Sequence, residues 1–252
     1  MAQFDNRYAV AGSATRSGAA VDEGLRSYML GVYNYMAAGV ALTGIVAYFV
    51  YNMSVVERAA GKVALTPLGQ VLYTSPVKWI IMLAPLAFVL FLSFRVYKMS
   101  VPATQLAFWA FAAVMGVSLS TIFLVFTGQS ITRVFFITAA AFAALSLYGY
   151  TTKKDLSGWG TFLFMGVVGL IIAALVNIFL QSSALQFAIS AAGVLVFAGL
   201  TAYDTQQIKD NYYEIAGDAT MMAKGAIMGA LNLYLDFINM FTSMLQLFGD
   251  RE

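Results

Sequence analysis

Two aspartates stand where a lipid-embedded chain rarely places an acid. Asp204 lies in AYDTQQIK (202–209), directly behind SSALQFAISAAGVLVFAGLT, about twenty residues without charge. Asp236 lies in LYLDFINMF (233–241), inside a second apolar run. A charge at the centre of a membrane helix costs on the order of 3 kcal/mol on the gentler insertion scale, so packing alone would not select an acid there. Read alone, Asp204 is a hydrated helix end. Around it Thr201, Thr205, Gln206 and Gln207 offer hydroxyls and amides that could orient a carboxylate. Two carboxylates within hydrogen-bond distance in a low dielectric do not both ionise cheaply, and they share a proton. Such a pair senses pH without histidine. Fully deprotonated, it offers hard oxygens to a divalent cation such as Ca²⁺.

The elements that must position this pair follow from composition. The 252 residues are 61% hydrophobic and 10% charged, with a mean hydropathy of +0.79. Soluble domains carry about 25% charged residues, so most of this chain sits in lipid. With no cysteine and no histidine, disulfides, thiolate nucleophiles, Ser-His triads and histidine metal sites are excluded. No lysine follows Lys224, so a Schiff base in the last segment is excluded too. There is no glycine-rich phosphate loop, and a net charge of +2 without a basic block does not suggest nucleic acid. The chain does not read as an enzyme, and no cofactor is implied.

Seven apolar stretches lie near 28–51, 77–97, 103–126, 132–151, 159–180, 184–205 and 226–248. Each is long enough to cross a hydrocarbon core of ~30 Å at ~1.5 Å per residue. Lipid cannot satisfy open strands, so these are helices. The sequence predicts an all-α integral membrane protein with seven transmembrane helices. Residues 1–27 read as a flexible polar tail without a signal-peptide core, and 28–249 as the seven-helix domain. The two long connections are 52–76 and 206–225. Nine of the 14 Lys and Arg fall on the N-terminal side: Arg7, Arg16, Arg26, Arg95, Lys98, Lys153, Lys154, Lys209 and Lys224. That excess predicts a cytoplasmic N-terminus. Pro85 predicts a kink in the second helix, and the mid-helix amide of Asn177 a bond between helices.

The last segment carries a stripe. Gly225, Gly229, Asn232, Asp236, Asn239, Ser243 and Gln246 recur at alternating spacings of four and three, on one helical face. In lipid a polar face turns toward other helices or water. The glycines read as packing contacts; Asn232 and Asn239 serve equally as interhelical bonds or as cavity lining, with Ser243 and Thr201 joining the latter set. Asp236 belongs to neither kind of packing.

These residues also carry a likeness. GLTAYDTQQIK (199–209) followed by ALNLYLDFINMF (230–241), with the KKDLS turn (153–157), closely resembles the paired signature of the Bax inhibitor-1 family over nearly the whole chain after the tail. The resemblance implies six helices around a central seventh. It implies a pH-sensitive calcium leak in which Asp204 and Asp236 share a proton, with Ca²⁺ and protons as the species handled. It implies that Arg95, at the end of the second helix, partners the pair; the bland reading of Arg95 is a cytoplasmic anchor. The acid that some relatives carry earlier in the second helix is absent from 79–94. The likeness to bacterial relatives implies an inner (plasma) membrane and offers an alternative function, a non-conducting regulator that binds a membrane protease or another membrane complex.

Overall fold

The computed structural model of the chain describes residues 5–58 and 62–251. Seven long helices carry it: α1 (Asp5–Ser54), α2 (Val77–Arg95), α3 (Val101–Leu119), α4 (Gly128–Thr151), α5 (Gly160–Leu180), α6 (Ser183–Ile215) and α7 (Ala219–Phe248). Their starts are written locally. Side-chain oxygens of Ser100, Thr127, Ser182 and Asp218 accept from the first free backbone amides of α3, α4, α6 and α7, which a helix leaves without internal partners. The 52–76 connection folds into an antiparallel hairpin, β1 (Val55–Arg58) against β2 (Lys62–Leu65), with Val55 opposite Leu65.

Among the described residues, six helical spans are long and apolar enough to cross a membrane: Glu23–Ser54, Val77–Arg95, Val101–Val125, Gly128–Thr151, Ser157–Leu180 and Ser183–Ile215. They present large apolar side chains outward, among them Phe94, Phe162, Phe179 and Leu195. An apolar exterior of this extent matches lipid rather than water. The chain is an all-α membrane protein. α7 is not among the six spans, because its polar stripe dilutes its hydropathy, yet it is the helix most enclosed by the others. It packs against α1, α3, α4 and α6, while α2 leans on α3 and α5 on α6.

α1 runs from Asp5 and so spans the position after residue 27. Residues 1–4 lie outside the described residues, and by Leu25 the helix is already packed into the core. One boundary differs from expectation. The sixth apolar stretch was expected to end near residue 205, but α6 continues to Ile215, and the expected 20-residue connection shrinks to 216–218. Gln206, Gln207, Lys209, Asp210 and Asn211 end the apolar run without ending the helix. None of them is a helix breaker.

α7 is held from several sides. Tyr234 is fully buried; its hydroxyl pairs with Thr43 Oγ1 of α1 at 2.6 Å, and Thr43 donates to the Ala112 carbonyl of α3 at 2.8 Å. Phe108 and Phe111 meet the Tyr234 ring edge-on. Phe237 stacks edge-on with Phe135 and Phe142 of α4. Beyond Phe248 the chain end docks at the start of α4: Asp250 accepts from Arg133 at 3.0 Å, and its backbone amide donates to Ser130 at 2.9 Å. α7 therefore runs the length of α4, from the α6–α7 turn to the far end of the bundle.

α4 and α6 are in backbone contact. A Cβ on Gly149 would lie 2.2 Å from the carbonyl oxygen of Ala202, so only glycine permits this approach. Polar bonds follow along the same seam. Ser146 of α4 joins Tyr33 of α1 at 2.6 Å and Thr205 of α6 at 2.9 Å. Lys209 donates to the Tyr150 carbonyl at 3.1 Å, a cation on the open carbonyls of a helix end. The buried Gln206 amide accepts from Leu156 N at 2.7 Å and donates to the Lys154 carbonyl at 2.8 Å, pinning the KKDLS turn. Within that turn Asp155 accepts from Ser157, which holds its exposed carboxyl below the usual range. Asn177 closes the α5–α6 turn, donating to Gln186 at 3.1 Å and accepting from Ser182 N at 3.0 Å around Gln181, whose φ is 49°. Pro85 lies inside α2.

Two measurements test these contacts. Gly149→Ala is expected to destabilise the detergent-solubilised protein by about 1–3 kcal/mol through overpacking, seen as a lower unfolding temperature. Gly128→Ala, with nothing within 4 Å of the added Cβ, is the control that leaves it unchanged. Gln206→Ala orphans two backbone groups at roughly 1–3 kcal/mol in total. Trypsin should then cut faster after Lys153 and Lys154 at unchanged helical content; an unchanged cleavage rate rules out the pin.

Candidate functional site

Asp204 and Asp236 meet. They belong to the antiparallel α6–α7 pair, which steps back about one residue along α6 for each residue forward on α7. The rungs are visible in close contacts: Ile215 against Gly225, Ile208 against Gly229, and Gly193 against Ser243. In this register Asp204 lies opposite the turn of α7 that carries Asn232 and Asp236. The depth mismatch that the sequence suggests between the two acids disappears, because α6 runs past Asp204 instead of ending there. The two carboxyl groups hydrogen-bond to each other. Ionised carboxylates only accept, so a bond between them requires that one carries a proton. Asp236 is 4% exposed, and its Oδ2 is buried without a partner. The pair is thus placed so that it could share a proton, beside one unused buried acceptor.

Cavities line the polar face of α7. One of about 370 Å³ lies toward the α6–α7 turn and is bordered by Asp204, Gln207, Asn211, Lys224 and Asn232, with Tyr28 of α1. A second of about 530 Å³ lies between α5, α6 and α7, bordered by Asp204, Asn232, Asp236, Asn239 and Ser243. A third of about 430 Å³ lies between α2, α3 and α7, sharing Leu235, Asn239, Thr242 and Gln246 with the second. Asp204 and Asn232 border both of the first two cavities. The carboxyl pair therefore sits at the wall between them. Volumes of this size hold several waters where polar groups line them.

The expected site residues fall into two groups. Asn232, Asn239 and Ser243 line these cavities together with the aspartates. Asn232 is exposed, Ser243 is half-buried beside Gly193, and Asn239 donates back to the Leu235 carbonyl at 2.8 Å. Arg95 and Thr201 are not brought to the pair. Arg95 ends α2 with an exposed side chain, and among the described residues no ion pair joins it to either aspartate; its neighbour Val96, fully buried, borders the 370 Å³ cavity instead. Thr201 is fully buried, lines none of the three cavities and returns its hydroxyl to the Phe197 carbonyl at 2.8 Å. Its β-branched hydroxyl satisfies itself within the helix.

Gln207, expected only as a possible orienting amide, and Asn211 and Lys224, which the sequence reading does not place at a site, complete the lining. Gln207 and Asn211 lie three and seven positions after Asp204, on one face of α6, a spacing legible once the helix is known to continue. Lys224, counted only as an end charge, is 8% exposed and lines the 370 Å³ cavity. A divalent cation asks for six to eight oxygens; the two carboxylates with the nearby amides and cavity water are the oxygens on offer. Among the described residues no group of three or more acids gathers as a resident metal site.

The geometry has sequence counterparts. The family model described as inhibitor of apoptosis-promoting Bax1 matches residues 25–252. A protein of Caulobacter vibrioides is 43% identical over 249 residues, 99% of this chain and 98% of its own length. The inner membrane protein YbhL of Escherichia coli (strain K12) is 44% identical over 231 residues, 91% of this chain and 94% of its own length. A membrane protein of Streptococcus pyogenes is 31% identical over 233 residues, 92% of this chain and 96% of its own length. The matched span contains both aspartate motifs, all of α2 to α7 and the packed part of α1: the chain belongs to the Bax inhibitor-1 family.

Proposed function

We propose that this protein is a pH-sensitive calcium leak of the Bax inhibitor-1 type, gated by the Asp204–Asp236 pair. α7 is then the seventh crossing, with the other six around it and its polar stripe lining the path. The observation that carries this reading is the position of the pair at the wall between two cavities, each bordered by several polar side chains. With a proton shared, a hydrogen bond ties α6 to α7 at that wall. Without it, two like charges stand side by side and repel. Protonation thus changes the sign of the force across a contact at the wall between the cavities. Deprotonated oxygens facing water-sized space also suit Ca²⁺ in transit.

The membrane is the bacterial inner membrane, as the name of the Escherichia coli relative suggests, with the N-terminus in the cytoplasm. Charge placement supports that orientation. Arg26, Lys153, Lys154, Lys209 and Lys224 gather at the end of the bundle holding the α6–α7 turn, and positive residues favour the cytoplasmic side.

A second reading rests on a different observation. Asn232 and Gln246 of α7 are exposed, and a regulatory protein without conduction could use them to bind a membrane protease or another membrane protein through interhelical amide bonds.

Ca²⁺ flux into liposomes holding the purified protein separates the two. The leak predicts flux that changes with pH, and a pH response that is lost in Asp204→Asn plus Asp236→Asn. Unchanged, pH-dependent flux in that double variant sinks the gate. Absence of flux, with co-purification of a membrane protein that Asn232→Leu and Gln246→Leu abolish, favours the regulator.

A further inference from the structure

One cavity of the bundle takes no part in the path proposed above. It is a groove of about 470 Å³ between α1 and α4, walled by Met29, Leu30, Phe142, Ala143 and Leu147, with Arg26 at one end. It exists because of how the two helices are seated. α1 packs on α3 and α7, and α4 packs on α6 and α7, while α1 and α4 meet each other only loosely. The Tyr33–Ser146 hydroxyl bond crosses the gap at 2.6 Å. The floor is held from behind: Ser146 also bonds Thr205 at 2.9 Å, and Phe142 meets the ring of Phe237 edge-on. The groove is therefore preformed. Leu30 and Leu147 at its sides are exposed, so it opens toward lipid.

The end at Arg26 is cationic. Tyr150 lines the groove, and Lys209 sits on its carbonyl at 3.1 Å. Lys153 and Lys154, both exposed, follow in the turn after α4. Among the described residues no acid lines the groove. Asp155 accepts from Ser157 within its own turn, and Glu23 lies one turn before Arg26, outside the lining. Arg26 and Tyr33 are seven residues apart, roughly 10 Å by helical rise. An apolar slot of that depth below an arginine and its neighbouring lysines has the shape and charge that an anionic amphiphile requires.

We propose that this groove binds an anionic phospholipid of the cytoplasmic leaflet, with an acyl chain against Leu30, Phe142 and Leu147 and the headgroup phosphate at Arg26. The leaflet follows from the orientation proposed above; the binding itself depends on neither that orientation nor conduction. A guanidinium bonds a phosphate through two parallel N–H donors. Basic pockets between membrane helices attract anionic headgroups, and each nearby cation adds to the attraction. A zwitterionic headgroup carries an ammonium that the same cations repel. The site therefore selects net negative charge rather than phosphate alone.

Native mass spectrometry of the purified full chain, titrated with phosphatidylglycerol or with phosphatidylcholine of the same chains, tests the site. Wild type is expected to prefer phosphatidylglycerol. Arg26→Gln should weaken that lipid's binding about fivefold and leave phosphatidylcholine unchanged. Arg133→Gln, at the opposite end of α4, should change neither. Leu147→Trp keeps every charge but fills the slot, and should remove the preference; Ala143→Phe fills it from the same wall if Leu147→Trp does not fold. Equal affinity of wild type for the two lipids overturns the site. So does phosphatidylglycerol binding that ignores Arg26, or that persists in the filled variants. Oleate bound as tightly as phosphatidylglycerol identifies a fatty-acid groove and overturns the phospholipid assignment. An N-terminus found outside the cytoplasm moves the site to the other leaflet and overturns that part alone.

Discussion

One contact organises this structure: a carboxyl group of α7 meeting a carboxyl group of α6 deep within the bundle. Asp236 is 4% exposed, where an unaided charge is costly. An acid buried there needs a polar partner. Asp204 stands beside it only because α6 and α7 run antiparallel through a three-residue turn and stay in register past Ile208, Gly229, Gly193 and Ser243. A slip by one residue would turn Asp204 about 100° around its helix and leave Asp236 facing apolar side chains. The small residues along this seam therefore matter to the site as well as to packing.

The motif around Asp204 serves two helices at once. Asp204, Gln207 and Asn211 point at the cavity beside α7, while Thr205, Gln206 and Lys209 bond to α4 and to the turn that follows it. Helical periodicity separates these sets onto neighbouring faces. The α4 face is dense: a glycine–backbone contact at Gly149, hydroxyl bonds through Ser146, and the pin made by Gln206. The α7 face is also closely packed, at Gly193, Gly225 and Gly229, but cavities lie beside the pair. On the proposed function, a change of protonation acts where that packing meets the cavities.

Much of this was legible in the sequence for physical reasons. Lipid demands long apolar helices, so the six spans show as hydropathy. The stripe of α7 shows as a strict four–three spacing, and the two acids are conspicuous because acids in lipid are expensive. What was not legible follows from the same reasoning. Hydropathy marks where lipid contact ends, not where a helix ends, so the sequence alone ends the sixth helix near 205 and makes Asp204 look shallow. The partners of Thr201 and Arg95 depend on side-chain direction in three dimensions: one bonds to its own helix, and the other points outward. From the sequence Lys224 is a charge near a helix boundary; its burial follows only from α7 beginning at Ala219.

On the proposed function, α7 resolves an opposition that a water-lined path through lipid must meet. A helix polar enough to line the path is too polar to insert and pack by hydropathy alone, and α7 indeed fails the apolar criterion that the six spans satisfy. It compensates by specific contact. Tyr234 is held by Thr43 and framed by Phe108 and Phe111, and Phe237 is seated between Phe135 and Phe142. These aromatics lie on the faces away from the stripe, so burial on one side secures the helix while the other stays lined by Asn232, Asp236, Asn239 and Ser243. The same division explains why the acid pair sits on the α6 seam: α1, α3 and α4 occupy α7 with close-packed rings, and the seam with α6 is where the polar stripe and the cavities meet a second helix.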